Sequence, residues 1–264
     1  MPHVLISIIV LNLYLASGSG LAWFVARRGP RARAISLGLG LAAVLGHLTV
    51  AYLLASQGEG LRLGFFDAAS LVAAIMAAVV LLTALRAPSE NLGIFVMPLA
   101  ALTLLASLLP GGGAGRPIAD GLAAHVLCSV LAYGVLAIAA LQALMLAWQE
   151  HRLRHKHPGG LARLLPPLQV MEQLLFQLLH LGFVLLSLSL LTGFVFLEDM
   201  FAQHVAHKTV LSIVAWLLFG ILLWGRRRFG WRGRLAARWT IGGFIALMLA
   251  YFGSKLVLQY LLGH

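Results

Sequence analysis

The recurrence of long, uninterrupted apolar runs constrains this chain more than any other feature. They cover about residues 4–26, 34–56, 67–85, 91–109, 121–148, 168–197, 209–224 and 239–262. A helix rises about 1.5 Å per residue, so about 20 residues cross a hydrocarbon core of about 30 Å. Each run meets that length or comes near it. Charged residues make up 10% of the 264 and hydrophobic ones 61%, against roughly 25% charged in soluble domains. A water-soluble fold has no polar face here with which to cover so much apolar surface. The runs are continuous where barrel strands would alternate, which excludes a transmembrane β-barrel. The sequence predicts an all-α polytopic membrane helix bundle with eight transmembrane helices, as one domain over residues 1–264.

Charge then orients the bundle. The net charge is +11. Fifteen of the 19 Lys and Arg follow the first, third, fifth and seventh runs: Arg27, Arg28, Arg31 and Arg33; Arg86; Arg152, Arg154, Lys156 and Arg163; and Arg226, Arg227, Arg228, Arg232, Arg234 and Arg238. The other side holds Arg62, Arg116, Lys208 and Lys255. The positive-inside rule puts the fifteen in the cytoplasm and both termini on the outer, periplasmic side. Trp23, Trp148, Trp224, Trp231 and Trp239 sit near the same interface as an aromatic belt. Basic residues in short loops bind lipid headgroups, and no basic face alternates with aromatics, so nucleic acid is not a partner. The first run lacks a preceding basic segment and is too long for a signal core, so it is read as retained. Asp67 is placed to cap the third helix. Pro98 interrupts the fourth, which neighbouring helices tolerate in a membrane.

Several chemistries are excluded. Cys128 is the single cysteine, so the chain has no CxxC and is not a thiol–disulfide oxidoreductase. There is no Walker-type glycine loop, no HExxH and no Ser, His and Asp arrangement that argues for a triad. No catalytic residue is assigned, and the chain is not read as an enzyme. Within the spans the carboxylates are reduced to Glu172 near an inner end, with Asp67 and Asp120 at outer boundaries, which argues against an ion-coupled transporter.

Histidines are the informative polar residues. His47 lies about 20 Å from the inner end of the second helix, and His125 about 6 Å below the outer end of the fifth. Gly40, Ala43, His47 and Ala51 share one helical stripe, as do His125, Ser129, Ala132, Ala139 and Ala143. Small-residue stripes face neighbouring helices. Each histidine is therefore either a hydrogen-bonding brace or a ligand facing the bundle. His180, mid-helix, reads as structural. His204 and His207 lie in the outer loop. His151, His155 and His157 lie on a solvated basic face, and Cys128 reads as a small packing residue.

One further pattern runs along the chain in order: Ala124-His125-Val126, Tyr133, Leu181-Gly182-Phe183, Thr192-Gly193, His207-Lys208-Thr209, Trp216, Gly230-Trp231-x-Gly233 and Tyr251-Phe252-Gly253. Over about residues 119–264 this resembles the cytochrome c assembly family of CcsA, CcmC and HemX type. The four leading spans resemble the eight-helix subgroup that includes HemX and the YpjD-like inner-membrane proteins. The resemblance implies a multi-pass protein of the bacterial inner membrane that binds heme and takes part in heme handling or cytochrome c biogenesis. Heme and other heme-handling or cytochrome c maturation membrane proteins would be its partners beside the lipid bilayer.

The family's external histidine falls on His125. The resemblance thus implies His125 as a ligand to heme iron, with His47 or an outer-loop histidine, His207 first, on the other face. The family's tryptophan-rich loop falls between Phe196 and Lys208, where residues 197–203 hold no tryptophan; a weaker or more transient heme site follows. The histidine that often ends the penultimate span is replaced by Trp224, and the second external histidine falls near Leu262, two residues from His264. Two other readings stand beside this one: a transporter or metal-ion-resistance accessory without heme, and a regulatory partner of a heme-biosynthesis enzyme.

Overall fold

The computed structural model describes residues 2–56, 63–109, 122–155, 164–196 and 206–253. These form eight helices: α1 (Pro2–Arg27), α2 (Pro30–Ala55), α3 (Phe65–Ala84), α4 (Glu90–Ser107), α5 (Leu122–Arg154), α6 (Leu168–Phe196), α7 (Ala206–Phe229) and α8 (Gly233–Met248), the last running into a π-helical turn, Leu249–Gly253. Seven of them are long and apolar enough to cross a membrane; α8 is the remaining one, and residues 254–262 of the eighth apolar run lie outside the described residues. Among the described residues there is no strand.

The helices gather into two compact units. The first holds residues 1–118 with 163–166, and the second 119–162 with 167–264. In the first, α1 packs on α2 and α4, and α3 packs on α4 and α2. Gly18 permits the α1–α4 approach, because a Cβ there would sit 3.3 Å from both Met97 and Pro98. Pro98 stays inside α4. Asp67 acts from within the first turn of α3 rather than as its cap: its carboxylate accepts the Gly64 N–H at 3.0 Å. Arg33 is drawn into this unit by Glu90, 2.6 Å away and buried, and it also donates to the Ala84 carbonyl.

In the second unit α5 packs on α6 and α8, and α7 packs on α8 and α6. Gly182 lets α6 close on α5. A Cβ on it would lie 2.5 Å from Leu136 Cδ2, so α6 meets α5 through a residue without a side chain. Gln142 Nε2 donates to the Met171 carbonyl at 2.9 Å across the same pair. Helices α5 and α7 continue past their apolar runs into polar ends, 149–154 and 225–229. Basic residues there complement the helix C-termini, and Arg154 pairs with Glu150 one turn back at 2.7 Å. α8 begins at Gly233, six residues before the expected apolar run. Large apolar side chains such as Leu5, Ile9, Leu102 and Phe194 stay exposed, as lipid-facing positions do.

Overpacking at a glycine contact costs about 1–3 kcal/mol. Gly182→Val is therefore expected to lower the melting temperature of the detergent-purified protein, while Gly242→Ala, with nothing within 4 Å of its Cβ position, leaves it unchanged. Equal melting of Gly182→Val and wild type would contradict the packing.

Candidate functional site

Polar side chains in an apolar bundle are defined by where their hydrogen bonds go. His125 stands in the first turn of α5, half-buried. Its Nδ1 lies 2.8 Å from the Ser189 carbonyl oxygen on α6. A carbonyl only accepts, so Nδ1–H donates, and the neutral ring carries its lone pair on Nε2. Nothing described engages Nε2. Ser129, one turn along, donates to the His125 carbonyl at 2.7 Å, so the 2.7 Å contact between Ser129 and Ser189 runs from the Ser189 hydroxyl. The Ser189 carbonyl thus holds the ring, and the Ser129–Ser189 hydroxyl pair joins α5 to α6 beside it. An imidazole held by a carbonyl at one nitrogen, with the other open, is the arrangement that metal-ligating histidines adopt.

His47 is arranged otherwise. It is wholly buried in the first unit. Its Nδ1 lies 3.1 Å from the Tyr14 hydroxyl and its Nε2 2.6 Å from the Ser70 hydroxyl, so both nitrogens are in use. The residue ties α2 to α1 and α3, and its ring meets Tyr14 edge-on at 5.7 Å. The stripe read from sequence is the packed face: Gly40 and Ala43 are buried with His47, as Ala132, Ala139 and Ala143 are below His125.

His207 falls in the first turn of α7, and its side chain lies outside the described residues. His204, His264 and the tryptophan-free stretch 197–203 also lie outside them. His180 is exposed and its Nδ1 donates to the Phe176 carbonyl of its own helix at 2.6 Å. His151 and His155 are exposed, with tilted rings 4.2 Å apart on the basic end of α5. Cys128 is a free, half-buried thiol. Among the described residues no group of three or more His, Cys, Asp or Glu is placed to hold a metal ion.

Other motif residues tie the helices of the second unit to one another. Phe183 stacks on Trp216 at 5.4 Å, and the Trp216 indole donates to Ser187 at 2.8 Å, joining α6 to α7. Tyr133 donates to the Leu247 carbonyl at 2.6 Å, joining α5 to α8, and meets Tyr251 edge-on. At the other end of the unit, Gly233 takes φ +59°, a conformation that suits glycine. Its N–H donates to Glu172 at 3.3 Å. Glu172 also pairs with Arg226 at 2.6 Å, and the Arg226 guanidinium covers the Phe176 ring at 4.5 Å.

Sequence reasoning missed this knot and treated Arg226 with Arg227 and Arg228 as headgroup anchors. The lone carboxylate of α6 facing a basic segment was the signal available for it. It also missed a groove of about 470 Å³ beside the knot, lined by Gln173, Gln177, His180, Arg226 and Arg232.

Comparison with known proteins agrees with this frame. The model of the family described as "Cytochrome C assembly protein" matches residues 36–262, a wider stretch than the motif residues alone covered. "Inner membrane protein YpjD" of Escherichia coli (strain K12) is 35% identical over 215 residues, 79% of this chain and 80% of that protein. "Protein HemX" of Bacillus subtilis (strain 168) is 27% identical over 142 residues, 52% of this chain and 51% of that one. "Cytochrome c biogenesis protein CcsA" of Gloeobacter violaceus is 26% identical over 93 residues, 34% and 28% of the two chains. No solved structure matches.

A brace leaves buried partners behind when it is removed, at about 1–3 kcal/mol for each unsatisfied group. His47→Ala is expected to lower thermal stability by about 2–5 kcal/mol, cavity included, and Tyr14→Phe by less. A stable, normally melting His47→Ala protein would remove the bracing role.

Proposed function

The chain belongs to the cytochrome c assembly protein family, and from that premise we propose that it is a bacterial inner-membrane protein that binds heme through His125 and takes part in heme handling for cytochrome c biogenesis. The observation that carries the reading is the ring of His125, held by the Ser189 carbonyl at Nδ1 with Nε2 left open. This donor suits heme, which needs one axial imidazole and an apolar surround and takes its remaining four ligands from its own macrocycle. When bound, heme supplies an iron centre whose electronics are set by the axial ligand.

His125 would hold the iron through Nε2, with the Ser189 carbonyl fixing the tautomer of its ring. His207, at the start of α7, is the second residue that would hold the group. His47 is the weaker choice, because ligation would require it to give up Tyr14 or Ser70. The stretch 197–203, without tryptophan, favours a site that releases heme readily. The protein is assigned no reaction of its own.

Eight crossings are proposed, the eighth being the apolar run at about 239–262, with both termini outside. Reporter fusions after Trp148 and after Leu197 are expected to report cytoplasm and exterior respectively. The reverse at both points would overturn the orientation.

Heme binding is tested by titrating heme into purified wild type, His125→Ala and His47→Ala at equal folded amounts. The wild type should show a Soret band and saturable uptake. His125→Ala should lose at least about tenfold in affinity, or about 1.4 kcal/mol. His47→Ala should keep heme per folded molecule. No uptake by wild type, or an unchanged His125→Ala, would overturn the proposal.

A further inference from the structure

The basic end of the second unit is formed by the C-termini of α5 and α7 and the N-termini of α6 and α8. Two carboxylates are described there, and both are taken. Glu150 pairs with Arg154 at 2.7 Å, and Glu172 pairs with Arg226 at 2.6 Å while accepting the Gly233 N–H. Arg234 and Arg238, one turn apart on α8, are exposed and have no carboxylate within ion-pair reach among the described residues.

These two arginines line a groove of about 330 Å³ between α5 and α8. Its other wall carries Trp148 and His151 of α5, and Ala237 and Ile241 continue it along α8. Polarity changes in one direction. His151 and Arg234 stand at the outermost level, Trp148 and Arg238 about one turn further in, and Ile241 beyond them on the apolar helix. Ala237, almost wholly buried, is the small residue of the α8 wall.

We propose that this groove is a binding site for an anionic phospholipid: Arg234 and Arg238 hold the phosphate, Trp148 lies at the headgroup boundary, and an acyl chain runs past Ala237 and Ile241. Two guanidinium forks match phosphate oxygens in number and shape, and tryptophan belongs at the membrane–water boundary. A free inorganic anion would use the arginines but leave the apolar extension empty. Diffuse attraction of basic loops to acidic membranes is insensitive to which arginines carry the charge; a site is not. The inference does not depend on heme binding.

The test uses native mass spectrometry of the full chain in detergent, with phosphatidylglycerol, phosphatidylcholine or inorganic phosphate added. Wild type should retain phosphatidylglycerol over phosphatidylcholine, and millimolar phosphate should not displace it. Arg234→Gln with Arg238→Gln should lower phosphatidylglycerol retention by about tenfold, two surface arginines being lost. Arg227→Gln with Arg228→Gln, which removes the same charge from an exposed part of α7, should change it little.

Equal losses in the two double variants would show diffuse charge and overturn the site. Equal retention of the two lipids would also overturn it, as would displacement by phosphate. Should the Arg234 and Arg238 pair of substitutions fail to fold, melting temperatures of the wild type and of single variants read the same binding. A rise with phosphatidylglycerol that phosphatidylcholine does not give, lost in the single variant Arg238→Gln and kept in Arg227→Gln with Arg228→Gln, supports the site; a rise equal in both variants, or equal melting in both lipids, overturns it.

Discussion

A polar atom without a partner in hydrocarbon costs several kcal/mol, and much of this structure follows from how its polar side chains reduce that cost. Backbone groups are satisfied by the helices themselves. Many hydroxyls turn back onto their own helix: Ser19 to Leu15, Thr49 to Leu45, Thr103 to Leu99 and Ser187 to Phe183. The polar groups that cross between helices are the braces of the two units. Tyr14, His47 and Ser70 tie three helices of the first; Gln142, Tyr133, Trp216 and the Ser129–Ser189 pair tie the second. Against this accounting, a histidine that spends one nitrogen and keeps the other is a different kind of residue from one that spends both. His125 and His47 fall on opposite sides of that line.

Function in this account sits at opposite ends of the second unit. The end carrying His125 is organised by neutral hydroxyls and by a carbonyl that orients the ring at Nδ1. The end carrying Glu172, Arg226 and Gly233 is organised by charge. There the helices α6, α7 and α8 are fastened by one carboxylate that satisfies a guanidinium and a backbone N–H together. The positive φ of Gly233 makes the turn that presents its N–H, and a Cβ at this position would meet Glu150 at 3.0 Å. Family motif residues serve both ends. Phe183, Trp216 and Tyr133 hold the helices in register, so the motif records a scaffold as much as a binding surface.

Much of the fold was legible because hydrophobic length is a local property. The apolar runs gave the seven long helices to within a few residues at most ends, and the two small-residue stripes gave the packed faces of α2 and α5. The polar extensions of α5 and α7 were not legible from hydropathy, since a helix continues through charged residues once its carbonyls and basic side chains are matched. The candidate site was legible in part: His125 could be placed near one helix end and on an inward face. Which nitrogen it spends depends on Ser189, 64 residues away, and the partners of His47 lie 33 and 23 residues away in opposite directions. Periodicity on one helix says which way a side chain points and nothing about what it meets. Glu172 with Arg226 was hidden for the same reason, as a row of arginines beside a membrane reads first as topology.

The central claim is that His125 offers Nε2, and no other atom, to heme iron. The most direct measurement is pulsed electron paramagnetic resonance of the ferric heme-loaded protein, made with histidine carrying ¹⁵N at Nε2 or at Nδ1. The account predicts strong ¹⁵N coupling from the Nε2-labelled protein, reduced in His125→Ala, and weak coupling from the Nδ1-labelled protein. Strong coupling through Nδ1, or an Nε2 signal that survives intact in His125→Ala, would contradict it.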